Sequence, residues 1–255
     1  VELVELICRR VQLTFDSRSA SDIASAYAED LAVWHWPLLH CVARVGDFRA
    51  IYTLCTTAIA AGGGAPGGGG TAVDVNMVDG AGNDVTALYR AASAGQRDAV
   101  AALLDLGADP TLCDREGATP VFRAAMCGRD ECLSLLLAQR LNAMRQPNRH
   151  GETAAAAAAE NGHSGCITVL SDGGFQDWDV PCSRAGNTAS HCAALHGFDD
   201  CLRALKLAGA DLAIHNSISG ATPVFCACAR GREATLQLLV GPGFELDPDA
   251  ATSAE

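Results

Sequence analysis

Positive charge is scarce in this sequence, and lysine is almost absent. Lysine and arginine together number 18 against 30 aspartates and glutamates, which gives a formal net charge of −12, and Lys206 is the single lysine. A protein that binds nucleic acid through the phosphate backbone needs a basic surface. The shortage of positive charge therefore predicts that nucleic acid is not a partner of this chain.

Long hydrophobic runs are missing as well. Apolar residues make up 49% of the chain, but no uncharged apolar run reaches the roughly 18 residues that a transmembrane helix needs. We therefore expect no transmembrane segment. The chain opens with VELVELICRR, which has neither an initiator Met nor the regions of a secretory signal. This leaves open that a native N-terminus, with any targeting peptide, precedes Val1.

Paired-cysteine motifs are absent, although the chain has twelve cysteines. Structural zinc needs about four converging ligands, usually with CxxC pairs among them. No CxxC pair occurs, so we predict no metal site and no cofactor. A chain of this length and apolar content does not need disulfides. Twelve reduced thiols predict an intracellular, reducing compartment, either the cytoplasm or the interior of an organelle.

One sequence frame recurs along the chain with a period near 34 residues. It is clearest in ATPVFRAAMCGRDECLSLLL (118–137), NTASHCAALHGFDDCLRAL (187–205) and ATPVFCACARGREATLQLLV (221–240). Its reference residue is a threonine, and a glycine follows nine residues later. The threonines are Thr86, Thr119, Thr153, Thr188 and Thr222, and the glycines are Gly95, Gly128, Gly162, Gly197 and Gly231.

Each copy of the frame predicts two short helices. The threonine can cap a helix, and Pro120 and Pro223 follow it at the first helical position. The glycine can adopt the left-handed conformation that ends this helix, before a second amphipathic helix such as DECLSLLLAQ. One helix pair cannot bury its apolar face, so the copies must stack. The turn before each threonine, which we call the finger, would reverse at Gly82, Gly117, Gly151, Gly186 and Gly220.

These motifs resemble the ankyrin repeat, whose T-P-L-H-x-A signature recurs about every 33 residues. The segments ATPVF, TALYRAA, NTASHCAALHG and LGADP carry the resemblance, and PLLHCVARVG from Pro37 is a divergent first copy. The resemblance implies an all-α fold, an α-solenoid of stacked helix-turn-helix repeats with projecting β-turn fingers. It also implies that His40 and His191 hydrogen-bond the turn between repeats.

We predict six repeats, two of them degenerate, in an array over residues 33–245. An N-terminal helical cap is expected at 1–32 and an acidic flexible tail at 246–255. The glycine-rich AGGGAPGGGG at 61–70 is read as an inserted loop, because no Lys-Ser or Lys-Thr follows it to bind phosphate. The repeats lie near 33–59, 82–108, 115–141, 149–175, 184–210 and 218–244.

The cysteines follow the repeat register. Thirteen residues after the threonine, repeats 3 to 5 have Cys132, Cys166 and Cys201 where repeats 1 and 2 have alanine. A free thiol packs as a small apolar group between closely spaced helices. Combinations such as His163 with Cys166 supply no complete set of base, orienting group and oxyanion site. We therefore expect that the chain is not an enzyme.

The resemblance implies a module that binds a partner protein through a concave groove and the fingers. Two alternatives stay open. One is a structural scaffold subunit built permanently into a larger complex, organellar or membrane-associated. The other is the recognition part of a larger regulatory enzyme.

In the family, contacts come mainly from finger residues four, three and one before the threonine and from helix residues seven and eight after it. Arg115, Arg149 and Arg184 share one finger position and would form a column that grips an acidic segment of a partner, or else a solvated finger. Trp34 and Trp36 are either contacts or buried. The predicted contact residues are Trp34, Trp36, Arg44, Arg115, Glu116, Met126, Arg149, His150, Glu152, Glu160, Asn161, Arg184, Asn187, Leu195, His196 and Arg230.

Overall fold

A computed structural model describes most of the predicted array. The described residues are 39–40, 42–60, 74–79, 83–139, 145–182 and 185–241, with backbone alone for residues 56–60 and 139. The predicted cap, glycine-rich loop and tail lie outside them, as do Trp34, Trp36 and Arg184. The chain divides into two compact units, residues 1–115 (unit 1) and 116–255 (unit 2).

Unit 1 contains the helices of repeats 1 and 2. Residues 39, 40 and 42–45 are helical and precede α1 (Phe48–Ala60). Repeat 2 follows with α2 (Ala87–Ala94) and α3 (Arg97–Asp105), which pack on each other, and α3 also packs on α1. The second helices of these two repeats are therefore neighbours.

Unit 2 contains eight described helices, two in each of repeats 3 to 6. The first helices pack on each other in chain order, and so do the second helices. Apart from one isolated bridge between Val78 and Thr86, the described residues contain no β-strand. This confirms the predicted all-α repeat fold. The helices are α4 (Pro120–Met126), α5 (Asp130–Gln139), α6 (Ala154–Glu160), α7 (Ser164–Asp172), α8 (Ala189–His196), α9 (Asp199–Leu207), α10 (Pro223–Ala229) and α11 (Glu233–Val240).

The first helix of each repeat begins immediately after the reference threonine. In four repeats the threonine Oγ1 accepts a hydrogen bond of 3.2 to 3.3 Å from the backbone N–H three residues on. Each bond satisfies one of the N–H groups that a helix leaves unpaired at its start. These caps are Thr86, Thr119, Thr153 and Thr222.

The glycine that ends a first helix is required for two reasons, which Gly162 illustrates. Its φ is +79°, in the left-handed region that disfavours a side chain. A Cβ at Gly162 would also lie 2.9 Å from the ring of Phe198, the residue that follows the equivalent glycine of the next repeat. Gly128 and His163 stand in the same relationship, so the first helices of successive repeats approach too closely for any side chain here.

The core is built from small residues on the first helices and leucines on the second helices. The alanine five residues after each threonine is fully buried in repeats 2 to 6, and so is the leucine seventeen residues after it. Burying one leucine stabilises the fold by about 1.5–3 kcal/mol. These residues are Ala91, Ala124, Ala158, Ala193 and Ala227, with Leu103, Leu136, Leu170, Leu205 and Leu239.

The finger of repeat 2 reverses at a residue that the sequence did not indicate. The prediction placed this turn at Gly82, which lies outside the described residues. Asp84 instead has a φ of +52°, and it stands two residues before Thr86, as Gly117 with φ +78° stands before Thr119. Aspartate is one of the few side chains that tolerates this conformation. Among the described residues, Asp84 is the one non-glycine residue with positive φ.

Candidate protein-binding surface

Successive fingers are joined by backbone hydrogen bonds within each unit. In unit 2 the Arg149 N–H donates to the Glu116 carbonyl at 2.8 Å, and the Ser217 N–H donates to the Gly186 carbonyl at 3.2 Å. In unit 1 the Arg115 N–H donates to the Asn83 carbonyl at 3.1 Å. Each of these bonds fixes one finger backbone to the next within its unit, so the side chains of the joined fingers keep a constant register.

A buried asparagine holds the finger of repeat 4. Asn148 Oδ1 accepts the backbone N–H groups of His150 and Glu152, each at 2.9 Å. Its Nδ2 donates to Glu152 Oε2 at 2.8 Å. The predicted contact residue Glu152 is half-buried, and its carboxylate already has a partner inside its own finger.

A second buried asparagine joins the fingers of repeats 5 and 6. Asn216 Oδ1 accepts the N–H groups of Ile218 and Ser219, each at 2.8 Å. Its Nδ2 donates to the Ala185 carbonyl at 2.9 Å and to Asn187 Oδ1. Asn187, a predicted contact residue, is therefore part of the link between two fingers, while the Ile218 side chain is 70% exposed.

Arg115 does not present a free charge. Its Nε and one terminal nitrogen donate to the two carboxylate oxygens of Asp84, at 2.6 and 3.2 Å. This fork, and then the charge of Asp84, raise the pKa of Arg115. Arg149 has the same finger position in unit 2 and is exposed. With Arg184 outside the described residues, the column of three arginines stays a prediction.

Other predicted finger charges face each other. His150 Nε2 and Glu116 Oε2 are 3.0 Å apart, and both side chains are partly exposed. A surface pair of this kind contributes about 0–1 kcal/mol. Glu116 and His150 therefore link the fingers of repeats 3 and 4, and the side chain of Arg149, next to His150 in sequence, is exposed.

The predicted helix contacts lie near the ends of the first helices. Met126 is at the edge of exposure, and Arg123 Nη1 lies 3.3 Å from its sulfur. Glu160 and Asn161 are exposed, and the Asn161 Nδ2 donates to the Ala157 carbonyl at 2.8 Å. Of the remaining predicted helix contacts, Leu195 is half-buried. The other three are exposed: Arg44, His196 and Arg230.

Arg232 was not among the predicted contacts. It follows the helix-ending Gly231, as Phe198 follows Gly197, and that register was the available signal. Its Nε donates to the Leu195 carbonyl at 3.3 Å, and its Cδ would lie 3.0 Å from a Cβ at Gly197. Arg232 therefore lies over the end of the first helix of repeat 5.

The histidines of the signature are structural. His40 Nε2 lies 2.9 Å from the Val85 carbonyl, and His191 Nε2 lies 2.9 Å from the Ala221 carbonyl, so both join one repeat to the next finger. His191 Nδ1 accepts the Thr188 N–H at 3.2 Å, which fixes the neutral form with its proton on Nε2. Burial, with His215 nearby, lowers the pKa of His191, although its bond to Ala221 opposes this.

The buried thiols have the properties of packing groups. Cys166 donates to Asp130 Oδ1 at 2.9 Å, and its burial, followed by that bond, raises its pKa. Burial, followed by the charge of Asp200, raises the pKa of Cys201 to about 12. A hydrogen bond with Cys192, followed by burial, raises the pKa of Cys182. Such thiols are poor nucleophiles.

Metal ligands do not converge in the part of the chain that the structure describes. No group of three or more His, Cys, Asp and Glu side chains there is arranged to hold a metal ion. Each of the ten described cysteines is a free thiol. The described helices also include none that is long and apolar enough to cross a membrane.

Known proteins match the chain through its repeats. The family model for ankyrin repeats in three copies matches residues 39–146, 88–179 and 139–216. An ankyrin repeat domain of known crystal structure from Acinetobacter baumannii is 25% identical and has a TM-score of 0.63. That match covers 79% of this chain and 95% of that domain.

Curated relatives are much longer than this chain. The human SH3 and multiple ankyrin repeat domains protein 2 is 33% identical over 157 residues, which is 58% of this chain and 8% of that protein. Human ankyrin repeat domain-containing protein 63 is 38% identical over 99 residues, covering 38% of this chain and 26% of the relative. The E3 ubiquitin-protein ligase KEG of Arabidopsis thaliana is 26% identical over 174 residues, which is 68% of this chain and 8% of that protein.

The chain thus spans less than a tenth of the SH3 and ankyrin repeat relative. What it shares with these proteins is the repeat array itself, and ankyrin repeats generally mediate protein–protein interaction. The match to the family model agrees with the observed pairs of helices and with the threonines that cap first helices. The chain is a member of the ankyrin-repeat family.

Proposed function

We propose that this chain is a non-catalytic module that binds a partner protein through the fingers and first-helix ends of unit 2. The supporting observation is the pairing of a fixed backbone with exposed side chains. Backbone bonds lock Arg149 to Glu116 and Ser217 to Gly186, while the side chains of Arg149, Ile218 and Arg230 extend into solvent. A preorganised surface loses little conformational entropy on binding.

Site-specific photo-crosslinking tests this proposal. A photoreactive residue at Arg149, His196 or Arg230 places the probe on the proposed surface. A matched probe at Ser134, Thr168 or Arg203 places it on exposed positions of the second helices. We expect the first set to crosslink a specific protein in extracts of the native source and the second set to give none. Crosslinks confined to the second helices would contradict the proposal.

A second candidate is a structural subunit of a permanent assembly. Its support is the exposure of large apolar side chains away from the fingers, above all Leu207, which is 90% exposed on α9. Val240 at the end of α11 is also exposed. Apolar surface of this kind is typical of subunit contacts. Co-purification of the chain in a stable complex that Leu207→Asp disrupts would favour this function over a dissociable module.

We also propose that the chain works in a reducing compartment. The supporting observation is that Cys132, Cys166 and Cys201 fill buried packing positions, where oxidation would disrupt the helix contacts. Thiol labelling of the protein in extracts quenched with acid should find these cysteines reduced. Recovery of the native protein with them oxidised would contradict this.

A further inference from the structure

Repeats 5 and 6 carry basic and aromatic side chains at the ends of their first helices. We call these residues the basic patch: Leu195, His196, Phe198, Arg230 and Arg232. Arg232 joins the two repeats, because its Nε donates to the Leu195 carbonyl at 3.3 Å and its aliphatic stem lies over Gly197. His196 and Arg230 both stand eight residues after their threonine, so they are equivalent positions of adjacent repeats.

The aromatic part of the basic patch is ordered. The His196 and Phe198 rings are stacked, with centroids 5.7 Å apart and an interplanar angle of 18°. His196 Nδ1 lies 3.0 Å from the Cys192 carbonyl, which orients the ring. His196, Arg230 and Arg232 are exposed, and Leu195 is half-buried beside them. The first-helix ends of these two adjacent repeats therefore present two exposed guanidinium groups and a stacked pair of rings.

The described acidic residues around the patch form no ion pair with its arginines. Asp199 accepts a bond from Thr235, and Asp200 pairs with Arg203 at 2.8 Å. In the described part of the chain, no carboxylate forms an ion pair with Arg230 or Arg232.

The fingers of repeats 5 and 6 lie at the opposite ends of the same first helices. Their described residues, 185–187 and 216–221, contain no Asp or Glu. Glu233 is the acid next to Arg232 in sequence, and it lies in the first turn of α11. Glu160, at the first-helix end of repeat 4, is also exposed. Arg230 and Arg232 thus present two guanidinium groups that no described carboxylate pairs with, in a chain whose net charge is −12. A local field of this kind selects partners independently of the net charge.

We propose that the basic patch binds an acidic segment of a partner protein that also carries an apolar side chain. Carboxylates of the segment pair with Arg230 and Arg232, for which the planar guanidinium is well suited. The apolar side chain packs on Leu195 and Phe198. This inference rests on the proposed protein-binding function, and it names the class of segment that repeats 5 and 6 select.

Two peptide libraries test the assignment with the full 255-residue chain. One contains labelled peptides of about ten residues with Asp or Glu interspersed among Leu, Ile and Phe. The other is identical except that Gln replaces every acid. At low salt we expect the chain to retain more of the acidic library than of the Gln library. This preference should disappear as added salt screens the charges. Equal retention of both libraries would overturn the proposal.

Charge reversal locates the binding. Arg230→Glu with Arg232→Glu should weaken retention of the acidic library at least tenfold. The control, Arg203→Glu with Lys206→Glu, makes the same change in net charge on α9 and should leave retention unchanged. Arg230→Gln with Arg232→Gln should reduce retention without introducing repulsion, and thermal unfolding followed by circular dichroism checks that each variant is folded. An unchanged retention in the folded double Glu variant would refute the assignment.

Three further outcomes separate this inference from the alternatives. If acidic peptides bind only after residues 246–255 are removed, the chain's own acidic tail occupies the patch and the proposed occupant is wrong. If the photo-crosslinked partner binds the double Glu variant with unchanged affinity, only the present inference fails. If no partner crosslinks from the first helices, the proposed function fails, whatever the peptide libraries show.

Discussion

His191 and Ala221 form a 2.9 Å hydrogen bond between the first helix of repeat 5 and the finger of repeat 6. A carbonyl can only accept, so the histidine Nε2 carries the proton. The opposite nitrogen accepts the Thr188 N–H and therefore carries none. Accepting the Thr188 N–H requires the neutral imidazole, because a second proton would sit on Nδ1 and oppose that N–H.

We predict that the burial of His191 in its neutral form makes stability depend on pH in mild acid. Burial lowers the folded-state pKa of His191 below its ordinary value near 6.5. The unfolded chain then binds more protons than the folded chain as the pH falls below about 6.5. The stabilisation is complete above that pH and is lost as the pH falls through the folded-state pKa.

Urea unfolding at pH 7.5 and pH 5.5 measures this effect. His191→Phe removes the titration, and Phe122 occupies the equivalent position of repeat 3. The free-energy advantage of the wild type over His191→Phe should shrink on acidification, by at most about 1.4 kcal/mol per pH unit. A wild-type advantage that grows in acid would contradict the assignment.

The close approach of Gly162 to Phe198 predicts that alanine at Gly162 destabilises the fold more than alanine at Gly174. Gly162 and Gly174 have nearly equal φ values, +79° and +85°, but a Cβ at Gly174 would meet no atom within 4 Å. Gly174→Ala should therefore cost about 1–2 kcal/mol for the backbone alone. Gly162→Ala should cost about 1–3 kcal/mol more, because the Phe198 ring must move.

Urea unfolding of the single variants and of Gly162→Ala combined with Phe198→Ala tests this explanation. In the Phe198→Ala background, the cost of Gly162→Ala should fall to that of Gly174→Ala. If the two glycine variants were equally destabilised in the wild-type background, the packing explanation would fail and only the left-handed conformation would matter.

Alkylation should separate the thiols by burial. With a pKa of about 12, Cys201 has a thiolate fraction on the order of 10⁻⁴ at pH 8, and its side chain is fully buried. Cys113 and Cys228 are exposed. Native iodoacetamide labelling followed by mass spectrometry should modify these two and spare Cys201 until urea unfolds the chain. Labelling of Cys201 at the same rate in the folded state would contradict its structural role.

The parts of the fold that sequence could predict are those in which one residue type has one physical use. Thr119 and Thr222, each followed by proline, indicated helix starts, and both cap their helices. The glycine nine residues later indicated a left-handed helix end, and Gly128 and Gly231 have positive φ. Such preferences are local, so repetition in register was enough to identify them.

The candidate surface was less predictable because it depends on which side chains meet across repeats. The sequence placed Arg115 in a column of exposed arginines, but Asp84 of the preceding finger pairs with it. It did not indicate that Arg232 would lie over Gly197, because that contact depends on the spacing between first helices. Pairing between repeats is a property of the stack, and the periodic pattern describes only one repeat at a time.

Asp84 offers a final test, since it has a backbone role and a side-chain role that substitutions can separate. Asp84→Gly keeps the finger conformation, φ +52°, but loses the pair with Arg115. Because both partners are substantially exposed, this change should alter the free energy of unfolding only slightly. Asp84→Ala loses the pair and also disfavours positive φ, so it should cost about 1–2 kcal/mol more than Asp84→Gly.

A double-mutant cycle with Arg115→Gln isolates the pair itself. If the ion pair contributes, Arg115→Gln should cost less in the Asp84→Gly background than in the wild type. The difference between the Ala and Gly variants should be the same in both Arg115 backgrounds, because it belongs to the backbone. Equal stability of Asp84→Ala and Asp84→Gly would mean that the finger of repeat 2 does not depend on the left-handed residue. Asp84 would then act only through its carboxylate, which pairs with Arg115 of the next finger.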